Sequence, residues 1–186
     1  MRTDADTSAS VTKDRPDMAI RKILTYPHKK KKKKAEPVTE FDDQLKTLVA
    51  DMGETMFAAP GVGLAANQIG VPLQVVVIEQ STPECQDFMA LVNPVISNGE
   101  GSVFDDEGCL SVRECLAMVK RFKKIHVTAQ DVEGKPLEFD AEDRFARIIQ
   151  HEVDHLLGTL FIDRISTLKR ALYKKKLKKI LEEDEA

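Results

Sequence analysis

One short segment, HEVDH at residues 151–155, constrains the fold of this chain more than any other. Residues four apart in an α-helix lie one turn apart on the same face, so His151 and His155 can each direct a ring nitrogen at one metal ion. Glu152 lies beside them, where a carboxylate can reach water bound to that ion. Apolar residues cover much of the remaining surface of the helix predicted over residues 142–157, which indicates that it is buried. The fold must therefore bury a helix that carries polar, metal-binding side chains.

A catalytic metal site of this kind needs a third protein ligand, and the sequence offers several candidates. Phe161 occupies the position at which one class of zinc hydrolase carries a third histidine, so that class is excluded. The glutamates that follow the motif lie in an acidic tail, at Glu182, Glu183 and Glu185. The upstream candidates are His28, His126, Cys85, Cys109 and Cys115. The sequence favours Cys109 without excluding the others, because a thiolate with two imidazoles is a sensible ligand set that leaves one position open for water.

The order of the other predicted elements indicates an α+β fold. Apolar residues at helical spacing predict an N-terminal helix over residues 41–57 and a C-terminal helix from about Thr167. The segments between them predict a glycine-rich loop at 59–72, a strand at 73–79, a strand at 88–97 interrupted by Pro94, and a hairpin over 122–142. In that hairpin, the alternation of apolar and polar residues places His126 on the solvent face. Strands in the middle with helices on either side are typical of α+β proteins rather than of doubly wound folds.

Length, cysteine content and charge limit the domain organisation and the compartment. The 186 residues suit one domain, and residues 1–17 are polar and aperiodic, so we expect a disordered N-terminal extension before a single catalytic domain over residues 18–186. Three cysteines without a C-x-x-C pair indicate thiols in a reducing compartment. The N-terminus lacks a secretory signal, and no stretch approaches the ~20 apolar residues of a membrane span. These features predict a cytoplasmic protein without a membrane partner.

Three motifs, in this order along the chain, carry a resemblance to a known enzyme family. They are GVGLAANQIG at residues 61–70, EGCLSV at residues 107–112 and QHEVDHLLG at residues 150–158. The chain resembles the bacterial peptide deformylases, and the similarity extends from about Met18 to Lys178. This resemblance implies removal of the formyl group from the N-terminal methionine of nascent chains. It also implies antiparallel or mixed β-sheets wrapped around the buried metal-binding helix.

The resemblance also implies how the metal is held and used. Cys109, His151 and His155 would hold the ion, and Glu152 would act first as the general base and then as the acid. The metal of the family in cells is ferrous iron, and zinc, nickel or cobalt can replace it. We therefore expect one divalent metal ion, with ferrous iron as the cellular metal.

Further residues of the three motifs would bind the substrate. The family pattern implies that the side-chain amide of Gln68 and the backbone N–H of Leu110 stabilise charge on the formyl oxygen. The residues expected to contact an extended peptide are Gly63 and Gly108, through their backbones, and Val62 and Ile148, which would line the methionine pocket. A formyl group has only hydrogen beyond its carbonyl carbon, so a narrow pocket can accept it and reject ordinary peptide bonds.

Two other functions are compatible with parts of the sequence. A metallopeptidase that cleaves ordinary peptide bonds could use the same HEVDH segment. A non-catalytic RNA- or ribosome-associated protein could use the lysine clusters for phosphate contacts, but it would need no metal. The C-terminal helix bears on this alternative, because an apolar stripe predicted at Leu168, Leu172, Leu177, Ile180 and Leu181 accompanies many lysines. We expect this basic helix to contact the ribosome and expect no DNA partner.

Two segments depart from the family pattern. HKKKKKK at residues 28–34 stands where the family usually has a D-P-x-L run after a Tyr-Pro pair. RECLAMV at residues 113–119 follows the second motif, where many members continue with proline and glycine. The second departure bears on which residues are preferred after the methionine of the substrate.

Overall fold

The computed structural model describes residues 19–28 and 33–184. The extension predicted to be disordered, residues 1–17, and the lysines at 29–32 lie outside the described residues. The described helices are α1 (Asp43–Ala58), α2 (Asp143–Leu156) and α3 (Thr167–Asp184), with short 3₁₀ helices at Ala66–Ile69 and Phe161–Asp163. The described strands are β1 (Gly63–Ala65), β2 (Val75–Glu79), β3 (Phe88–Glu100), β4 (Val103–Cys109), β5 (Val112–Arg121), β6 (Lys124–Gln130) and β7 (Pro136–Glu142). None of the helices within these ranges has the length and apolar character needed to span a membrane.

Two β-sheets surround the helix that carries the HEVDH motif. Strands β1, β2, β3, β6 and β7 form one antiparallel sheet in that order, and β4 pairs with β5 in a second sheet. Helix α2 packs against β1, β2 and β7. Ile149 and Leu156 of α2 share a buried core with Val76, Leu91 and Ile125 of the larger sheet. This arrangement confirms the predicted α+β fold with sheets wrapped around a buried motif helix.

Helix α1 confirms the predicted N-terminal helix. Asp42 caps it, because the carboxylate accepts a hydrogen bond from the backbone N–H of Leu45 at 3.0 Å. The apolar face of the helix buries Met52 and Met56 in a second core that includes Val77 of β2. Helix α1 therefore covers the face of the large sheet opposite to the core that contains α2.

The glycine-rich segment at 59–72 is more regular than the predicted loop. It contains β1, in which Gly63 pairs with Ile78 of β2, followed directly by the 3₁₀ helix at Ala66–Ile69. Leu64 and Ala65 are completely buried. Burial in the tertiary structure thus holds an extended conformation that the local glycine content disfavours. The consequence is that β1 forms an edge of the large sheet beside α2.

Strands β4 and β5 do not follow from the sequence patterns described above. Phe104, Asp105 and Asp106 are all exposed, so β4 lacks the alternation of buried and exposed residues that identifies a half-buried strand. Pairing with β5 forms this strand, and its register shifts between Glu107 and Cys109, just before the strand ends. The shift is typical of a β-bulge, which bends a strand and redirects its side chains.

Strand β3 confirms the predicted interruption at Pro94 as a local irregularity within a longer strand. The pairing of β3 with β6 shifts register between Val92 and Val95, and Asn93 has a positive φ of 52°. Proline cannot donate a ladder hydrogen bond, so strands accept it at bulges or edges. Pairing resumes after the bulge, which is why the strand continues to Glu100.

Helix α3 has the predicted start, but its buried face differs from the prediction. Leu177 and Ile180 are buried as expected, together with Tyr173. Leu168 and Leu172 are 71% and 60% exposed, so these two residues of the predicted apolar stripe do not pack on the domain. The Tyr173 hydroxyl donates a hydrogen bond to the backbone oxygen of Arg113 at 3.1 Å. The side of α3 that carries Tyr173 therefore faces β5. This docking leaves Leu168 and Leu172 on the solvent side.

Candidate active site and metal centre

Three candidate ligand atoms converge at the inner face of α2. Cys109 Sγ lies 3.2 Å from His155 Nε2, which lies 3.2 Å from His151 Nε2. Potential ligand atoms of the three residues all lie within 4.8 Å of one another. Within the described part of the chain, these residues form the group that could hold a metal ion. His126, the alternative histidine, instead contacts Asp140 and Glu138 on the β6–β7 hairpin. The structure therefore brings together the ligand set implied by the family resemblance.

Two different elements position this set. Helix α2 supplies the two histidines one turn apart, and the end of β4 supplies Cys109. The backbone N–H of Ser111 donates to Cys109 Sγ at 3.4 Å, and Gln68 Nε2 approaches the same sulfur at 3.7 Å. Both donors thus contact the sulfur atom of Cys109, and cysteine binds metals in its thiolate form.

A buried ion pair orients His151. Its Nδ1–H donates to Glu107 Oε2 at 2.9 Å, while Arg121 donates from Nε and Nη2 to the two Glu107 oxygens, each at 2.8 Å. Burial alone would raise the pKa of Glu107, but hydrogen bonds from Arg121 and His151 outweigh burial and lower this pKa to about 2. The ionised carboxylate fixes the imidazole with its proton on Nδ1 and leaves Nε2 available to a metal.

Glu152 lies against β1 with one oxygen unsatisfied. Burial raises the pKa of its carboxyl group to about 7. Its Oε2 atom is buried and has no hydrogen-bond partner among the described residues. An unpaired buried carboxylate oxygen is costly. Glu152 lies between the candidate metal ligands His151 and His155 in the chain, which indicates that the unpaired oxygen has a functional role.

A cavity of about 360 Å³ opens onto these groups. Nine of the ten predicted site residues line it, namely Val62, Gly63, Gln68, Gly108, Cys109, Leu110, Ile148, His151 and Glu152. The tenth, His155, is almost fully buried behind the other ligands. The side-chain oxygen of Gln68 accepts a hydrogen bond from Ala65 N at 2.8 Å, and its Nε2 donates to Ser111 Oγ at 3.0 Å. The amide group is thus oriented with its nitrogen toward the Cys109 side of the cavity.

The structure adds residues that the sequence patterns did not identify. Arg144 and Arg147 also line the cavity, and Arg147 Nη1 pairs with Asp105 Oδ2 at 2.6 Å. Glu107 and Arg121 support His151 from behind, as described above. Glu107 belongs to the second motif, which is a partial signal, whereas nothing in the local sequence distinguishes Arg121 from other strand arginines.

The donor set fits a divalent transition metal. One sulfur and two imidazole nitrogens suit zinc or ferrous iron better than calcium or magnesium, which prefer oxygen ligands. Burial opposes the charged form of His151, yet hydrogen bonds to Cys109 and Glu107 prevail and raise the pKa of His151 well above its ordinary value. The Cys109 and Glu107 side chains thus favour positive charge on His151, and a metal bound at Nε2 would replace the proton there.

Comparisons with known proteins agree with one another. The family model described as polypeptide deformylase matches residues 20–171. The peptide deformylase of Desulfotalea psychrophila is 53% identical over 164 residues, which cover 87% of this chain and 97% of that protein. A crystal structure of a peptide deformylase from Legionella pneumophila is 44% identical, with a TM-score of 0.83 and coverage of 89% of this chain and 98% of that one. The Met-Ala-Ser-bound class I type b peptide deformylase from Acinetobacter baumannii is 30% identical, with a TM-score of 0.74 and coverage of 80% and 99%.

Proposed function

This chain belongs to the polypeptide deformylase family, and on that premise we propose how its own residues carry out deformylation. The enzyme is a metal-dependent hydrolase that removes the formyl group from N-formylmethionine at the start of nascent polypeptides. The alternative of a metallopeptidase acting on ordinary peptide bonds is not favoured by the family match.

The three converging ligands are proposed to hold one metal ion. Cys109, His151 and His155 supply the donors, and Glu107 keeps His151 in the binding tautomer. When bound, the ion lowers the pKa of water and polarises a carbonyl group. Ferrous iron is the proposed metal in cells, and zinc, nickel and cobalt are proposed substitutes. Support for this choice comes from the mixed sulfur and nitrogen donors, which these metals accept.

Glu152 is the proposed proton carrier of the reaction. Its carboxylate takes a proton at Oε2 from the attacking water and later donates that proton to the leaving amine nitrogen. Burial raises the pKa of Glu152 to about 7, and a group with a pKa near neutrality can both accept and release a proton. The products are formate and the free amino terminus of the peptide.

Gln68 and Leu110 are the proposed donors to the formyl oxygen as negative charge develops on it. Both line the cavity next to Cys109. The hydrogen bond from Ala65 N to the Gln68 side-chain oxygen turns the amide nitrogen toward the Cys109 side of the cavity, where it also contacts Ser111 Oγ. Loss of one such donor typically costs ~3 kcal/mol of transition-state stabilisation.

An extended peptide is proposed to lie along the edge of β1. This strand ends the five-stranded sheet beside the cavity, so the Gly63 backbone can pair with a peptide as an added strand. Gly108 is proposed to offer backbone contacts from the other wall, with Val62 and Ile148 lining the methionine pocket. The similar Acinetobacter baumannii structure contains Met-Ala-Ser, which supports a peptide site in this fold.

Residues 18–186 are proposed to act as one catalytic domain that works in the cytoplasm near the ribosome. Lysines of α3 that face solvent would meet phosphate groups there, namely Lys174, Lys175, Lys178 and Lys179. Leu168 and Leu172, exposed on the same helix, add apolar contact area. The helix thus presents a basic surface with apolar residues at its start.

The observation that carries the proposed chemistry is the unpaired Glu152 oxygen beside the converging Cys109, His151 and His155 side chains. The decisive experiment measures metal content and formate release for protein purified without oxygen. Formyl-Met-Ala-Ser should yield formate in proportion to bound metal, and unformylated Met-Ala-Ser should not be cleaved. Cleavage of the unformylated peptide at comparable rate would instead establish the metallopeptidase alternative.

A further inference from the structure

We propose that Arg164 is a positioning residue for the metal ligand His151 and that it acts through Asp154, Arg121 and Glu107. The inference rests on the proposed function, because it takes His151 as a metal ligand. Arg164 lies outside the three motifs that carry the family resemblance. Its position just after the 3₁₀ helix at Phe161–Asp163 places it behind α2, away from the catalytic cavity.

A continuous series of hydrogen bonds connects Arg164 to the metal site. Arg164 Nε and Nη2 each donate to Asp154 at 2.5 Å. Asp154 Oδ2 also accepts from Arg121 Nη1 at 2.5 Å, and Arg121 holds both oxygens of Glu107. The last contact is from His151 Nδ1 to Glu107 Oε2 at 2.9 Å. Each step joins charged side chains, so a change at one end alters the electrostatics of the next.

The four charged groups behind His151 balance one another. Arg121, Glu107 and Asp154 are buried, with side-chain exposures of 2%, 9% and 6%, and together they carry one excess negative charge. Arg164 supplies the positive charge that cancels it. Without Arg164, the ion-pair partner left to Asp154 among the described residues would be Arg121. Asp154 would then compete with Glu107 for the Arg121 guanidinium. Because uncompensated buried charge is costly, Arg121 would shift toward Asp154 and loosen its two-point hold on Glu107.

Arg164 is also the most exposed member of the series. Its side chain is 44% exposed and lines a second cavity of about 920 Å³, together with Phe122, Leu157 and Lys120. Its backbone is held by a hydrogen bond from Arg164 N to the Phe161 backbone oxygen at 3.0 Å. A substitution at Arg164 can therefore remove the charge without opening the apolar core.

The expected consequence is faster release of metal from the loaded enzyme. A carboxylate that orients a ligating histidine typically contributes 10–100-fold to metal affinity or activity, so partial loss of that support should speed release about tenfold.

The experiment loads wild type and Arg164→Gln with zinc, adds excess chromogenic chelator and follows metal release. Arg164→Lys keeps the charge and should stay close to wild type. Arg170→Gln is the matched control, since Arg170 pairs with Asp163 at 3.4 Å and lies outside the series.

A second comparison separates positioning from a general loss of stability. In a Glu107→Gln background the route to His151 is already broken, so adding Arg164→Gln should cause no further acceleration. An equal acceleration in both backgrounds would overturn the proposal, and so would a wild-type release rate for Arg164→Gln. If Arg164→Gln does not fold, Arg164→Lys decides, because a large acceleration despite the retained charge contradicts the charge-balance argument. The assay measures metal release and uses no formylated substrate, so its result does not depend on catalysis. Retention of zinc by Cys109→Ser would show separately that the proposed ligand set is wrong.

Discussion

Gly63 and Glu152 are packed so closely that a Cβ atom on residue 63 would lie 2.5 Å from Glu152 Oε1. The same atom would lie 2.9 Å from the carboxyl carbon. Real Cβ contacts are not this short, so the absence of a side chain at residue 63 is what allows the carboxylate to occupy its place between β1 and the candidate metal ligands. Gly63 thus forms part of the edge strand β1 and also leaves room for the Glu152 carboxylate, the proposed proton carrier.

Gly63→Ala should therefore displace the Glu152 carboxylate and reduce turnover while leaving metal binding intact. Misplacement of a catalytic group by about 1 Å can cost 10²-fold in rate, and we expect a loss of about that size in kcat. The measurement is kcat for formyl-Met-Ala-Ser alongside metal content per chain. Wild-type turnover in the alanine variant would show that the carboxylate can move without consequence.

Glu152→Gln should retain the metal and lose most of the activity. The amide has nearly the shape of the carboxylate but cannot accept the proton of the attacking water, and general acid–base catalysis typically contributes 10²–10⁴-fold. Formate release and metal analysis on the same sample provide the test. A fully loaded variant with normal turnover would remove Glu152 from the proposed mechanism.

Cys109→Ser should weaken metal binding, and Cys115→Ser should not. A serine hydroxyl stays protonated at neutral pH, whereas a thiolate is a strong metal ligand. Both cysteines are partly buried in the same region of the fold, which makes Cys115 a matched control. Competition with a chromogenic chelator measures the affinity. Loss of metal on substitution of Cys115 rather than Cys109 would reverse the ligand assignment.

The pH dependence of stability should show a contribution from His126. A hydrogen bond to Asp140 raises the pKa of His126, and the Glu138 carboxylate adds to the effect. The folded state therefore holds this proton more tightly than the unfolded state does. The resulting stabilisation is fully present below the unfolded pKa of about 6.5 and is lost as the pH rises through the folded pKa.

Two measurements check this expectation. The His126 ring signals in an NMR titration should report a pKa above the ordinary range, and Asp140→Asn should bring it back down. The difference in unfolding midpoint between wild type and His126→Ala should shrink as the pH increases. A difference that grows with pH would show that the histidine stabilises the fold in its neutral form.

Replacing Lys174, Lys175, Lys178 and Lys179 by Gln should weaken co-sedimentation with ribosomes, most visibly at low salt. Contacts between lysines and phosphates release counterions, so their loss reduces both affinity and its salt dependence. Tyr173, Leu177 and Ile180 remain in place to dock the helix, and hydrolysis of a short formyl-Met peptide should be unchanged. The control variant replaces four lysines outside α3, at Lys120, Lys123, Lys124 and Lys135. Equal co-sedimentation of both variants and wild type at every salt concentration would dismiss the ribosome contact.

The sequence by itself determined the parts of this protein that depend on short-range geometry. His151 and His155 lie one turn apart because helical periodicity is a local property, and the apolar spacing of α1 is local too. The family resemblance then supplied Cys109, Gln68 and Leu110, whose distance along the chain hides their proximity in space. The general α+β architecture followed from the order of helices and strands.

Tertiary structure alone decided features that join distant segments. Glu107 and His151 are 44 positions apart and Arg121 and Asp154 are 33 apart, so no local pattern reveals that they share one buried network. The exposed residues of β4 form a strand only because β5 pairs with them, and β1 is extended only because Leu64 and Ala65 are buried. Leu168 and Leu172 look like core residues from their spacing, yet docking of Tyr173 turns them to solvent. In each case, a long-range contact contributes more free energy than the local preference that the sequence pattern records.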